Sequence, residues 1–394
     1  MNNDEELLEE VVVVAYGTAK KSQFTGSAAM VGAESIKEIQ SGSFTKGLEG
    51  RMAGVNVTSK SGNPGEDATI LIRGTGSILA ESRPLYVIDG VPYEGKLNSI
   101  NPRDIESMTV LKDAAANSLY GARGSNGVIL ITTKGGKRGS KPRVSVDAKW
   151  GISSLGNPLY DMIDDSGQYY ETYWRAIRNQ QMYSVGATPA AAGLVASQTL
   201  VNKLGGYNSF NVPNGMLVDP NTGKLNPSAK LLYQDDWEDE ILNTGFRQEY
   251  QANVTGGTDQ TTYLISLSHL NDEGLIKNSG FERFTGRLKL DQDITRWFKV
   301  GANMSFARTK TNFYDDNNTN GSNPFYLLHS MGPIYPIYEY DAEGQRMVDK
   351  NGNYIYDFGS GDVNKSHKRP VSSSANPIGT QVEDLDRSRI NFFQ

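Results

Sequence analysis

Cysteine is absent from all 394 residues, so there is no disulfide framework, no thiolate nucleophile and no Cys-ligated metal site. Histidine is nearly as scarce, and His269, His329 and His367 lie far apart, without metal-ligand spacing. No Ser/His/Asp set carries a nucleophile-elbow motif, and no carboxylate pair stands out for glycoside hydrolysis, so the chain is read as a non-enzyme. No apolar run approaches the roughly 18 residues of a membrane-spanning helix, and mean hydropathy is -0.49. A β-barrel remains open, because alternating lipid-facing and lumen-facing residues keep average hydropathy low. The net charge of -6 comes with no basic stripe, which argues against nucleic acid as a partner. The stretch Met1 to Glu6 lacks the basic region and apolar core of a signal peptide.

What is abundant is glycine, 42 residues, and tyrosine, 20, against 13 Phe and 4 Trp, a balance that suits hairpins and interfacial rings. The stretch Pro84 to Lys134 organises the first third of the chain. Leu85 to Ile88 is a short strand ended by Asp89-Gly90, a pair that tolerates positive φ in a tight hairpin. Asn101 caps a helical turn with Pro102 at its first position. Met108 to Leu111 and Val128 to Thr133 read as strands, with a small helix from Ala114 to Tyr120 between them that Gly121 closes. Gly121, Gly124 and Gly127 precede a strand and so do not form a dinucleotide fingerprint, which must open a helix.

Upstream, Val11 to Val14 is a run of four β-branched residues after an acidic segment, a natural donor for strand addition to another sheet or an edge strand of this one. Ser35 to Gln40 and Thr45 to Met52 read as short helices, the second with Leu48 and Met52 on one face. Gly54 to Thr58 and Ala68 to Gly74 read as strands. Gly135 to Pro142 is a basic, glycine-rich linker, and beyond it the apolar period becomes two. Alternating strands are expected around Val144 to Trp150, Tyr250 to Val254, Tyr263 to Leu267, Phe284 to Leu290 and Phe298 to Phe306, with a sixth starting near Arg389. Their connections alternate short and long, as in outer-membrane barrels. An amphipathic helix, Ser166 to Asn179, occupies the first long connection. Two hairpins, turned at Asp341 to Gly344 and Asp349 to Gly352, occupy the last. Asp316, Asn318, Asn320 and Gly321 copy the opening of a calcium loop, but Leu327 stands where its bidentate Glu belongs, so no metal and no cofactor are expected.

The segments LYVIDGVP and DIESMTVLKDAAANSLYGARGSNGVILITTKGG, with Gly47 to Val55 and Ile70 to Gly74, resemble the plug domain of SusC/RagA-type TonB-dependent outer-membrane transporters. The resemblance implies an α+β plug followed by antiparallel transmembrane β-barrel strands: a Ton box segment at 1–17, the plug at 18–139, and an incomplete barrel with long extracellular loops at 140–394. A barrel of this class has about 22 strands, so either the chain is a fragment or another polypeptide completes the wall. It further implies that Glu10, Val11, Val12, Val13, Val14, Ala15 and Tyr16 form the Ton box grasped by TonB. Arg73 and Arg123 would dock the plug on barrel carboxylates. Import of oligosaccharides or peptides across the outer membrane, beneath a SusD-like surface lipoprotein, is the implied function, with the plug and Ton box facing the periplasm. The loop aromatics Tyr314, Phe325, Tyr326, Tyr335 and Tyr338 either touch such a substrate or pack on one another. A soluble carbohydrate-binding or carbohydrate-active β-protein, and a receptor of the same fold that signals without transport, are the competing readings.

Overall fold

The computed structural model describes residues 11–14, 17–20, 28–37, 41–72, 74, 82–112, 118–157, 160–312, 323–361, 367–383 and 387–393. At its start, β1 (Val11–Val14) pairs antiparallel with β2 (Gly17–Lys20), as the β-branched run requires of an extended segment. Next come β3 (Ala28–Gly32), a short helix α1 (Ala33–Lys37) and the hairpin of β4 (Val55–Thr58) with β5 (Thr69–Ile72). Strands β6 (Leu85–Ile88), β7 (Val91–Tyr93), β8 (Ile105–Leu111) and β9 (Val128–Thr133) join β3 in a mixed five-stranded sheet of order β3-β8-β9-β6-β7. Its β6–β9 pair is parallel. Both faces of β9 are covered: Ile129 and Ile131 join the core of Ile36, Phe44, Leu48, Met108 and Val110, while Val128 and Leu130 pack with Val87 and Leu111 on the other side. A strand buried on both faces reads as a continuous apolar run, which is how Val128 to Ile131 reads.

Three helix readings in this domain are revised. Thr45 to Met52 is not an α-helix; Phe44–Leu48 is a 3-10 turn capped by Ser43, whose side chain accepts from the Thr45 amide, and the chain leaves helical geometry at Glu49, ψ 125°, before Gly50 at φ 69°. Leu48 and Met52 are nevertheless both buried. The Ser35 to Gln40 reading contracts to α1, with 38–40 outside the described residues. Of the helix read at Ala114 to Tyr120, residues 113–117 lie outside the described set, and Ser118–Gly124 is 3-10 with Gly121 at φ 63°.

The second body is an antiparallel meander in chain order: β10 (Arg143–Ser153), β11 (Gly245–Gly257), β12 (Thr261–Glu273), β13 (Gly280–Asp293), β14 (Lys299–Asn312) and β15 (Arg387–Phe393). The six strands form an open wall, with β10 and β15 at its two edges. Its polarity is inside out. Along β12 the face toward the first domain carries Thr262, Leu264, Ser266, Ser268 and Leu270, with Ser266 1% exposed; the other carries Ile265 and Leu267, the latter 51% exposed. Val144, Val146, Trp150 and Ile152 of β10, Leu288 and Leu290 of β13, and Val300 and Met304 of β14 extend that outer apolar face. Such a band is far from a normal water-facing surface and suits hydrocarbon.

Two short turns, 258–260 and 294–298, close one end of the wall. At the other end the long connections fold together. Helix α2 (Ser166–Ser184) runs a turn past its expected end and buries Tyr170, Trp174 and Ile177 as its period requires. Helix α3 (Pro189–Lys203), which the periodicity did not flag, packs beside it, started by the Thr188 cap and Pro189. Helices α4 (Trp237–Ile241), α5 (Pro324–Ser330) and α6 (Pro377–Glu383) complete this cap. The hairpins at 335–358 form as expected, with Gly344 at φ 79° and Gly352 at φ 85° in their turns.

Candidate plug docking interface

The Asp89-Gly90 turn joins β6 to β7 with both residues at positive φ, 47° and 88°. That backbone directs the Asp89 carboxylate toward β9, where Oδ1 accepts from the Thr133 amide at 3.0 Å and Oδ2 from the Thr133 hydroxyl. The wall then closes on it. Arg287 of β13 reaches Oδ2 at 2.8 Å, Asn303 Nδ2 of β14 donates to the same oxygen at 2.8 Å, and Lys289 Nζ lies 3.8 Å from Oδ1. Burial pushes the Asp89 pKa up, but the Thr133 hydrogen bonds and the Lys289 and Arg287 charges outweigh it and hold the group below the ordinary carboxylate value.

A second contact grows from the Asn101-Pro102 turn, which forms as read: Asn101 Oδ1 accepts from the Arg103 amide at 3.0 Å. Its Nδ2 donates to Ser268 Oγ on β12 at 3.0 Å. Arg103 Nε pairs with Glu249 of β11 at 3.0 Å, and Asp104 Oδ1 accepts from Gln251 Nε2 at 3.0 Å and Ser266 Oγ at 2.8 Å. Here burial prevails, and Asp104 titrates above the ordinary carboxylate value despite those bonds.

The third contact is Arg283 of β13, 2% exposed. One guanidinium nitrogen donates to three carbonyls of the first domain: Gly42 at 2.6 Å, Asn98 at 2.9 Å and Ile100 at 3.1 Å. Beside it Phe281 seats on Gly65, whose φ is 73° and where a Cβ would stand 2.2 Å from the ring. Gly65 is therefore required both by its backbone and by the approach of the wall. The basic linker is not a free tether either. The Gly139 amide donates to Thr258 O at 3.2 Å, the Gly257 amide to Ser140 O at 3.1 Å, and Arg138 pairs with Asp293 at 2.5 Å.

This arrangement, a small α+β domain held by polar contacts against the inner face of an apolar-sided wall, recurs in known proteins. The TonB-dependent Receptor Plug Domain family matches residues 20–128. The TonB-dependent receptor SusC of Bacteroides thetaiotaomicron is 31% identical over 402 residues, covering 100% of this chain and 35% of that receptor. The TonB-dependent receptor P3 of Formosa agariphila is 33% identical over 355 residues, 89% of this chain and 30% of its own length. The RagAB peptide importer in its open-open state superimposes with a TM-score of 0.65 and 26% identity over 94% of this chain and 38% of that one. The chain belongs to the SusC/RagA-type TonB-dependent receptors. It spans about a third of the length of the curated relatives it matches.

Within this receptor segment the residues singled out from sequence separate. Of the seven residues expected to form a Ton box, Val11–Val14 form β1, paired residue for residue with β2, while Glu10, Ala15 and Tyr16 lie outside the described residues. Arg73 also lies outside them. Arg123 pairs with Glu94 on the plug's own surface, both side chains being more than half exposed, rather than with a wall carboxylate. The docking cations the structure brings together are Arg283, Arg287 and Lys289, which point from wall to plug, with Arg103 and, from the linker, Arg138 pointing the other way, to Glu249 and Asp293. One signal was available: Arg287 and Lys289 sit on the polar face of an otherwise apolar strand. Of the loop aromatics, Tyr314 and the calcium-like Asp316 to Gly321 lie outside the described residues. Tyr335 is 4% exposed and meets Tyr207 edge-on at 5.2 Å, so it packs in the cap and is not presented to a ligand. Tyr338 is likewise buried, beneath Arg346 at 4.2 Å. Phe325 and Tyr326 are exposed on α5.

Proposed function

We propose that this receptor imports an oligosaccharide or peptide across the outer membrane, with a SusD-like surface lipoprotein as lid and TonB pulling on the Ton box, Glu10 to Tyr16, from the periplasm. In this reading residues 18–139 are the stopper and 140–394 the opening strands of the barrel, its long loops outside. The observation that carries the reading is the chemistry of the seat. The plug has its own apolar core, and it meets the wall mainly through single side chains: Asp89 with Arg287, Arg103 with Glu249, and Arg283 with three carbonyls. Contacts of that kind release one at a time, whereas a shared apolar core would bind plug and wall into one cooperative unit. The exposed apolar band on the far side of the wall weighs against the soluble carbohydrate-active alternative. Among the described members of the loop aromatics singled out from sequence, Phe325 and Tyr326 are the exposed ones and are assigned to substrate contact.

Deleting Val11 to Val14 is expected to abolish uptake of the cognate nutrient while leaving its binding at the cell surface intact. Uptake at the wild-type rate would overturn the Ton box assignment.

A further inference from the structure

The outer face of the wall ends differently at its two rims. At the short-turn rim the register aligns Thr261, Gln292 and Val300 across β12, β13 and β14, and none of them is charged. At the long-loop rim the outward row of β14, apolar through Val300, Ala302, Met304 and Phe306, continues as Arg308, Lys310 and Asn312. The register of β15 then sets Arg389 opposite Lys310 and Arg387 opposite Asn312. Four basic positions therefore fall on two neighbouring strands within about 14 Å along their length.

The acids of the same rows, Glu282 on β13 and Glu273 on β12, are turned the other way. Glu282 Oε1 meets His269 on β12 at 3.3 Å, and Glu273 Oε2 accepts from the Phe246 amide on β11 at 3.1 Å. Arg308 and Lys310 have no ion-pair or hydrogen-bond partner among the described residues, and Arg308 is exposed. With four basic positions against two acids, the rim is net positive, and its excess is gathered on β14 and β15. Arg308 offers paired donors that match two phosphate oxygens, and Lys310 adds a point charge. Charge alone would accept any anion; the surface beneath selects an amphiphile. Two residues along β14, about 7 Å, the apolar row begins at Phe306, which meets Phe284 of β13 edge-on at 6.3 Å, and continues to Met304, 61% exposed. A free anion gains nothing from that surface.

We infer that this basic rim binds the phosphate-bearing head of an acidic lipid whose acyl chains lie along Phe306, Met304 and Phe284. The inference rests on the wall spanning a membrane and goes beyond import, because the site lies on the lipid side of the wall rather than the plug side. The test uses the protein extracted from its membrane in mild detergent, delipidated, and offered phosphatidylglycerol, phosphatidylcholine or inorganic phosphate as separate probes, with retention read by native mass spectrometry. Phosphatidylglycerol is expected to be retained in preference to both others. Arg308→Gln and Lys310→Gln each lower its affinity about five-fold, the worth of one cation beside an anionic lipid. Glu282→Gln, which removes the neighbouring acid, does not weaken it, and Lys299→Gln, the same loss of charge at the short-turn rim, leaves it unchanged. Equal retention of phosphatidylcholine, inorganic phosphate bound as tightly as the acidic lipid, glutamine variants at 308 and 310 that bind like wild type, or a Lys299→Gln loss as large as theirs would overturn the inference. A protein that never partitions into membrane overturns the membrane reading and this inference with it, whereas loss of selectivity in an inserted protein overturns only this one.

Discussion

Asparagine in place of Asp89 and in place of Asp104 should act in opposite directions, although both aspartates sit in turns of the plug and face the same wall. At Asp89 the charge is the point of the contact. Its loss leaves Arg287, 8% exposed at the side chain, and Lys289 facing a neutral amide. Breaking a buried pair from one side costs about 3–5 kcal/mol, and the partial exposure of Asp89 places this case near the lower end, about 3 kcal/mol. At Asp104 the charge is a burden. The bonds from Gln251 and Ser266 both end on Oδ1, an acceptor that asparagine retains, while the buried negative charge disappears. Asp104→Asn should therefore lie within about 1 kcal/mol of wild type or be stabilising. The assay is the urea concentration at which the plug becomes protease-sensitive in the detergent-solubilised protein. The pH dependence must agree in sign. A depressed carboxylate contributes stability above its unfolded pKa and loses it only as pH falls through the folded value, so the Asp89 contact should persist until the medium is more acidic than about pH 4. A raised carboxylate works the other way, and Asp104 should weaken the seat as pH rises from its unfolded pKa through its folded one. Equal destabilisation by the two asparagines, or a neutral Asp89→Asn, would refute the account.

Two further expectations concern packing and the cap. Gly65→Ala should destabilise plug seating by about 2–3 kcal/mol, since the new Cβ meets the Phe281 ring and the backbone stays at positive φ; Phe281→Ala should recover the steric share only, and full recovery or no recovery in urea-dependent protease resistance would contradict the double requirement. Glu339, 8% exposed and near Asp357, has its pKa pushed up by burial and that neighbouring charge to about 7, against a partial offset from Arg369. Its ionisation weakens the folded cap as pH rises from about 4.5 to 7, so Glu339→Gln should raise cap stability at pH 8 by about 1–2 kcal/mol and do little at pH 4; a thermal shift of the same size at both pH values would count against it.

Much of the fold was legible because its signals are local. Asp89-Gly90, Asn101-Pro102 and the hairpin glycines at 344 and 352 each announce a backbone conformation that only a few residue types favour, and each formed as read. The period-two strands were legible for the same reason. Which face of each strand met what was harder: alternation separates two faces without saying that the polar one is buried, and here Ser266, Ser268 and Thr285 are nearly inaccessible while Leu267 is in the open. Docking was least legible. The carboxylate partner of Arg287 lies 198 residues away in a turn whose sequence speaks only of turning. Helix α3 escaped notice because its alanines blur the contrast between faces, and the 3-10 turn at Phe44–Leu48 carries the same i, i+4 apolar spacing as an α-helix.

The pinned linker has a consequence for any plug that is pulled from its seat. Residues 135–142 span at most about 28 Å when fully extended, and Gly136 is held so close to the wall that a Cβ there would lie 2.5 Å from Gly256 O. A dislodged plug therefore stays leashed within a few nanometres of Arg283 and Arg287, at an effective concentration in the millimolar range. Re-seating of a plug so freed would be an intramolecular reaction, returning Asp89 and Arg103 to their wall partners without a diffusional search.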